Sequence, residues 1–144
     1  MFKGKPKGAL LTMTEDQLEQ ETLVWLGEVG YSHCYGPDIA PDGNRPERAN
    51  YQQVLLPSRL REAIHRLNPN IPTAAKEDAL KQVMDLGIPA LLAANRHFHK
   101  LLVGGVPVQY QKDGETRGDF VRLIDWADVR ANEWLAINQF SIQG

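Results

Sequence analysis

The chain has one cysteine, Cys34, in 144 residues, so no internal disulfide can form, which fits a reducing cytoplasm. It also lacks any run approaching the roughly 20 consecutive apolar residues of a membrane span. Its basic start, Met1 to Gly8, leads only to Ala9, Leu10 and Leu11 before Thr12. That is too short for the apolar region of a signal peptide. Net charge is scarce as well, at −2, so the chain as a whole carries no electrostatic footprint for nucleic acid. A phosphate loop is missing, because Gly4-Lys5 is followed by Pro6 where Ser or Thr would be needed. His33 and Cys34 have no second pair of ligands at zinc spacing. His97 and His99 stand two apart, so on a helix they point about 200° apart and do not share a metal. No internal repeat or low-complexity tract is present.

What remains is an ordinary single-domain composition, 42% hydrophobic and 24% charged. The organisation expected is a flexible basic stretch over 1–13, carrying Lys3, Lys5 and Lys7, followed by one folded unit over 14–144. Thr14-Glu15-Asp16-Gln17 reads as a capping box. Leu18, Thr22, Trp25, Leu26 and Val29 then recur at helical spacing, and Gly30 supplies the stop. "GYSHCY" is a short strand, and Tyr31 to Asn50, rich in Pro, Gly, Asp and Asn, reads as a surface loop. A second helix is expected over Pro57–Leu67, with Arg59, Arg61 and Arg66 on a solvated face that could guide DNA. Thr73 caps a third helix ending near Gly87, and Pro89 opens a fourth that stops at Gly104-Gly105.

Beyond Gly105 the period changes to two. Val106, Val108 and Tyr110 alternate with Pro107 and Gln109, Lys112-Asp113-Gly114-Glu115 turns, and Phe120 to Ile124 returns. Trp134 to Ile142 is a further β-rich run. Helices followed by antiparallel strands make the class α+β.

Glu19 is the acid singled out by position. With Leu18 as reference it lies about 100° round the first helix, beside Leu26 at about 80°, at the border of the apolar stripe. Such an acid is either a partly covered structural group, favoured by the helix dipole, or one aimed into a site.

Four ordered strings, "TEDQLEQETLVWLGEVGY", "LPSRLREAIHRLNP", "LLAANRHFHKLLVGGVPVQY" and above all "VRLIDWADVRANEWLAINQFSI", resemble the N-terminal region of the restriction (R) subunit of type I restriction-modification enzymes. The last is the most specific, with Ile124-Asp125, Asn132 about seven residues on, and a strand ending Asn138-Gln139-Phe140. The resemblance implies the opening portion of a PD-(D/E)xK-type nuclease domain, in which a first-helix acid supports a metal-binding Asp and a Glu-x-Lys. Glu19, eleven residues before Gly30-Tyr31, matches that acid, with Glu15 as second choice.

No Asp or Glu in the chain has a Lys two residues later, and Pro37-Asp38 and Pro41-Asp42 lie in the turn-rich loop. The expectation is therefore an N-terminal fragment ending before the catalytic residues, inactive alone. Its parent would be a DNA-cleaving subunit that uses ATP and Mg²⁺ and works with modification and specificity subunits. The alternative is a non-catalytic module that binds protein or DNA.

Overall fold

A computed structural model describes residues 12–86 and 90–144. Lys3, Lys5, Lys7, Gly87 and Pro89 lie outside the described residues, and with them the expectations placed there. The element order is α1 (Glu15–Glu28), β1 (Ser32–Tyr35), α2 (Gly36–Ile39), α3 (Pro57–Leu67), α4 (Thr73–Met84), α5 (Leu91–Gly104), β2 (Val106–Lys112), β3 (Glu115–Val121), a 3-10 turn (Val129–Ala131) and β4 (Leu135–Asn138). The class is α+β. No helix of the described residues is long and apolar enough to cross a membrane.

The main core joins α3, α4, α5 and the β2–β3 hairpin. Ile64, Ala79, Val83, Val106 and Val121 are each at most 2% exposed, and Leu80, Leu101, Val108 and Leu123 complete the cluster. Burying an aliphatic side chain of this size contributes about 1.5–3 kcal/mol, so this layer holds most of the hydrophobic stabilisation. The hairpin follows from its turn. Asp113 and Gly114 both take positive φ, 53° and 77°, the geometry that matches strand twist in two-residue hairpins. Pairing consequently starts at Lys112↔Glu115 and runs to Val106↔Val121, earlier than the expected return over Phe120–Ile124. The strand ends there because Asn68, at the end of α3, takes over the next residue: its Oδ1 accepts from Arg122 N at 2.8 Å and its Nδ2 donates to Arg122 O at 2.9 Å.

The second layer differs from the expected order of helices first and antiparallel strands after. β1 precedes all helices except α1, and it pairs in parallel with β4, in register Ser32↔Leu135 to Tyr35↔Asn138. A parallel pair needs a crossover rather than a tight turn, and here the whole main core forms the crossover. The final run is also shorter than Trp134–Ile142. Gln139 adopts φ 54°, which ends the ladder, and Phe140 to Gly144 continue without regular structure.

Three local expectations change. Thr73 is the first residue of α4 rather than its cap; Pro72 holds the cap position, with Lys76 N donating to Pro72 O, and Asp85 ends the helix. On α1 the capping box forms as read, Gln17 N donating to Thr14 Oγ1 and Thr14 N to Gln17 Oε1, but the covered side is Glu19, Leu23 and Leu26. Leu18, Trp25 and Val29 stay exposed, because α1 leans on a narrow two-stranded sheet that covers only one stripe. The segment read as a surface loop is partly packed: it forms α2 and buries Gly36, Ile39, Ala40 and Arg48.

Arg48 explains that packing. Only 3% exposed, it donates to the carbonyls of Gln53, Tyr51 and Ser141 and lies over the Phe140 ring at 4.0 Å. A buried cation is tolerated only when so partnered. We expect Arg48→Met to lower unfolding free energy by about 2 kcal/mol or more, since the Gln53 and Ser141 carbonyls lose their donor and that of Tyr51 keeps only Gln143 N, as read by urea denaturation. Gly36 is the matching steric test: a Cβ there would collide with the backbone of Asn138 and Gln139. Gly36→Ala should destabilise by about 1–3 kcal/mol in the same measurement, whereas Gly27→Ala, in open space, should not.

Candidate functional site

The parallel pair sets the geometry of the site. Ser32 N donates to Trp134 O at 2.7 Å and Tyr31 packs its ring against Trp134 at 5.8 Å, which brings the end of α1 onto the start of β4. α1 then crosses both strands, with its Glu19–Leu23–Leu26 stripe toward the sheet. Between them runs an open groove of about 590 Å³, lined by Glu15, Leu18, Glu19, Thr22, Leu26 and, from the sheet, Leu135 to Asn138.

Both acids named from sequence reach this groove, and they differ in environment. Glu19 is partly covered, and Gln139 Nε2 donates to its two carboxylate oxygens at 3.1 and 3.0 Å. Glu15, one turn earlier, is exposed. The positive φ of Gln139 is uncommon for a residue with a side chain and marks a position held by its surroundings. It turns the chain immediately after β4, where the side chain meets Glu19. Next to it, His33 Nε2 and Asn138 Oδ1 lie 2.6 Å apart across the two strands. The carboxylate thus sits by the end of β4, which has one strand neighbour among the described residues.

The other candidates take structural positions. Asp42 Oδ1 accepts from Tyr51 OH at 2.5 Å, and this hydrogen bond holds its carboxyl below the usual carboxylate range. Asp38 O accepts from Arg45 N. Pro41-Asp42 is therefore a turn element as read, whereas Pro37-Asp38 lies in the first turn of α2 rather than in a loop. Asp125 and Asn132 close one loop on each other, Asp125 N donating to Asn132 Oδ1 and Asn132 Nδ2 to Asp125 O. The Asp125 carboxylate accepts from the backbone N–H of Asp128 and Ala127, which depresses its pKa. This loop is the physical content of the Ile-Asp and Asn spacing in the last string.

The arginines read as a solvated face are engaged. Arg59 pairs with Glu47 and Glu133 and donates to Cys34 Sγ at 3.4 Å; Glu47 is the leading cause of its raised pKa. Arg61 pairs with Glu77, and Arg66 donates to Ala131 O. Arg59 in particular is committed to the fold, so it is a poor candidate for guiding DNA.

Magnesium requires several oxygen ligands in octahedral geometry. Among the described residues no group of three or more His, Cys, Asp and Glu could hold a metal ion; Glu19 and Glu15 by themselves do not make a magnesium site. The arrangement can present one carboxylate, held by an amide, at the end of β4. Sequence reasoning found that carboxylate but missed Gln139, whose only signal was its place in the Asn-Gln-Phe string.

Comparison with known proteins agrees with the resemblance. A family model described as the type I restriction enzyme R protein N terminus matches residues 12–144. The type I restriction enzyme HindI endonuclease subunit of Haemophilus influenzae is 34% identical over 131 residues, which is 91% of this chain and 12% of that protein. A Methanocaldococcus jannaschii protein, provisionally named as the MjaIXP type I restriction endonuclease subunit, is 29% identical over 140 residues, 96% of this chain and 13% of its own length. The chain thus spans about an eighth of the length of these relatives. No solved structure matches it significantly. The chain belongs to the family of N-terminal regions of type I restriction enzyme R proteins.

Proposed function

We propose that this chain is the opening portion of a PD-(D/E)xK-type nuclease domain in an ATP-dependent, Mg²⁺-dependent restriction subunit. That subunit cleaves DNA together with modification and specificity subunits. The support lies in the family, in relatives named as restriction endonuclease subunits, and in one geometric observation: the Glu19 carboxylate is seated by Gln139, the residue that follows β4, a strand with one neighbour among the described residues.

In this reading α1 forms one wall of the site and Glu19 its accessory acid. The metal-binding Asp and the Glu-x-Lys come from residues following Gly144, on strands that extend the sheet from β4. An unpaired edge accepts such strands through its free backbone groups. Magnesium, when bound by that complete set, would polarise the scissile phosphate and activate water. The residues of this chain contribute orientation and negative charge alone. The turn at Gln139 places an amide donor on Glu19, holding the carboxylate, and Leu18, Leu26 and Ile137 give the groove an apolar lining.

Glu19→Gln in the full-length subunit should lower DNA cleavage by about tenfold or more, in the range of lost supporting contacts at a metal site, while ATP hydrolysis stays intact. Wild-type cleavage by that variant returns Glu19 to a structural role. The isolated chain should show no Mg²⁺-dependent nicking of plasmid DNA on an agarose gel; robust cleavage would place the chemistry within these 144 residues and overturn the proposal.

A further inference from the structure

The charge of α5 and its flanks sets it apart from the rest of the molecule. From Leu86 to Lys112 there is no Asp or Glu, in a chain that holds 18 acids. Within that stretch α5 carries Arg96, His97, His99 and Lys100, all exposed. Leu101 is buried, and Ala94, Phe98 and Leu102 are half-buried, so these four mark the side turned to the core. At 3.6 residues per turn, the opposite side of the helix is centred on Arg96, His99 and Lys100, at the i, i+3 and i+4 spacing of neighbours on one face.

These charges are unspent. Ion pairs among the described residues engage Arg59, Arg61, His65 and Arg122, and neither Arg96 nor Lys100 takes part in one. The net charge of −2 conceals this local excess. Exposed aliphatic residues, Leu92 and Val103, lie toward the two ends of the same face. The centre of a protein–protein interface is typically depleted in Lys, and here the cations hold the centre.

We propose that this face of α5 binds the phosphate backbone of duplex DNA. The inference rests on reading the chain as part of a DNA-cleaving subunit, and it concerns a surface separate from Glu19. Arg96 and Lys100 stand about 6 Å apart along the axis, within reach of neighbouring phosphates of one strand through flexible side chains. His99 adds a ring donor between them. Contacts of this kind position a duplex and carry no base information.

The test is fluorescence anisotropy of this chain with a short labelled duplex of arbitrary sequence, titrated between about 50 and 200 mM salt. Arg96→Ala/Lys100→Ala should make the slope of log affinity against log salt shallower by about 1.8, so the loss of affinity across that range shrinks roughly tenfold. Arg96→Gln/Lys100→Gln, which keeps side-chain length and helix propensity, should behave alike. Arg96→Lys and the surface control Lys81→Ala should keep the wild-type slope. Equal slopes for the double variants and wild type overturn the proposal, as does absence of duplex binding by the wild type. Preferential binding of a polyglutamate peptide over DNA, lost in the double variants, would assign the face to an acidic protein instead and likewise overturn it. None of these results touches the nuclease reading, which is decided by cleavage with Glu19→Gln in the full-length subunit.

Discussion

Arg59 ties the two layers of the molecule together. It rises from α3, which is part of the main core, and its guanidinium reaches Glu47 in the connecting segment, Glu133 just before β4 and the Cys34 thiol on β1. The main core is apolar and well buried; the α1, β1 and β4 layer has no fully buried residue. A thin layer of that kind gains little from hydrophobic burial. Its position therefore depends on directional contacts, and a planar guanidinium with several fixed donors suits this better than a lysine ammonium.

Arg48 repeats the arrangement at the other end of β4. Its guanidinium gathers the carbonyls of Gln53, Tyr51 and Ser141, while Gln143 N donates to Tyr51 O. Between the two arginines, β4 is fixed at both ends although among the described residues only β1 pairs with it. The left-handed turn at Gln139 and the absence of a Cβ at Gly36 belong to the same fit: the chain leaving β4 passes so close to the start of α2 that only glycine can stand there. The Glu19–Gln139 contact inherits its geometry from this fit. α5, on the core layer, offers a cationic surface separate from the Glu19–Gln139 contact.

Local chemistry determined much of this protein from the sequence alone. The Thr14–Gln17 box, the Pro57–Leu67 helix, the Asp113-Gly114 turn and the Gly104-Gly105 stop are set by contacts within a few residues, so their types and approximate bounds are legible in the string. The partly covered position of Glu19 was legible too, because helical spacing places it near the apolar stripe. Tertiary structure decided the rest. The pairing of β1 with β4 joins residues about a hundred positions apart, and no local preference encodes a partner at that distance. It also chose which stripe of α1 is covered, since the width of the sheet, and not the helix's own periodicity, determines what lies underneath. Arg48 and Arg59 look like any surface arginine in sequence. Their roles exist only once carbonyls and carboxylates from distant segments converge on a planar cation, a matter of three-dimensional geometry that residue identity does not contain.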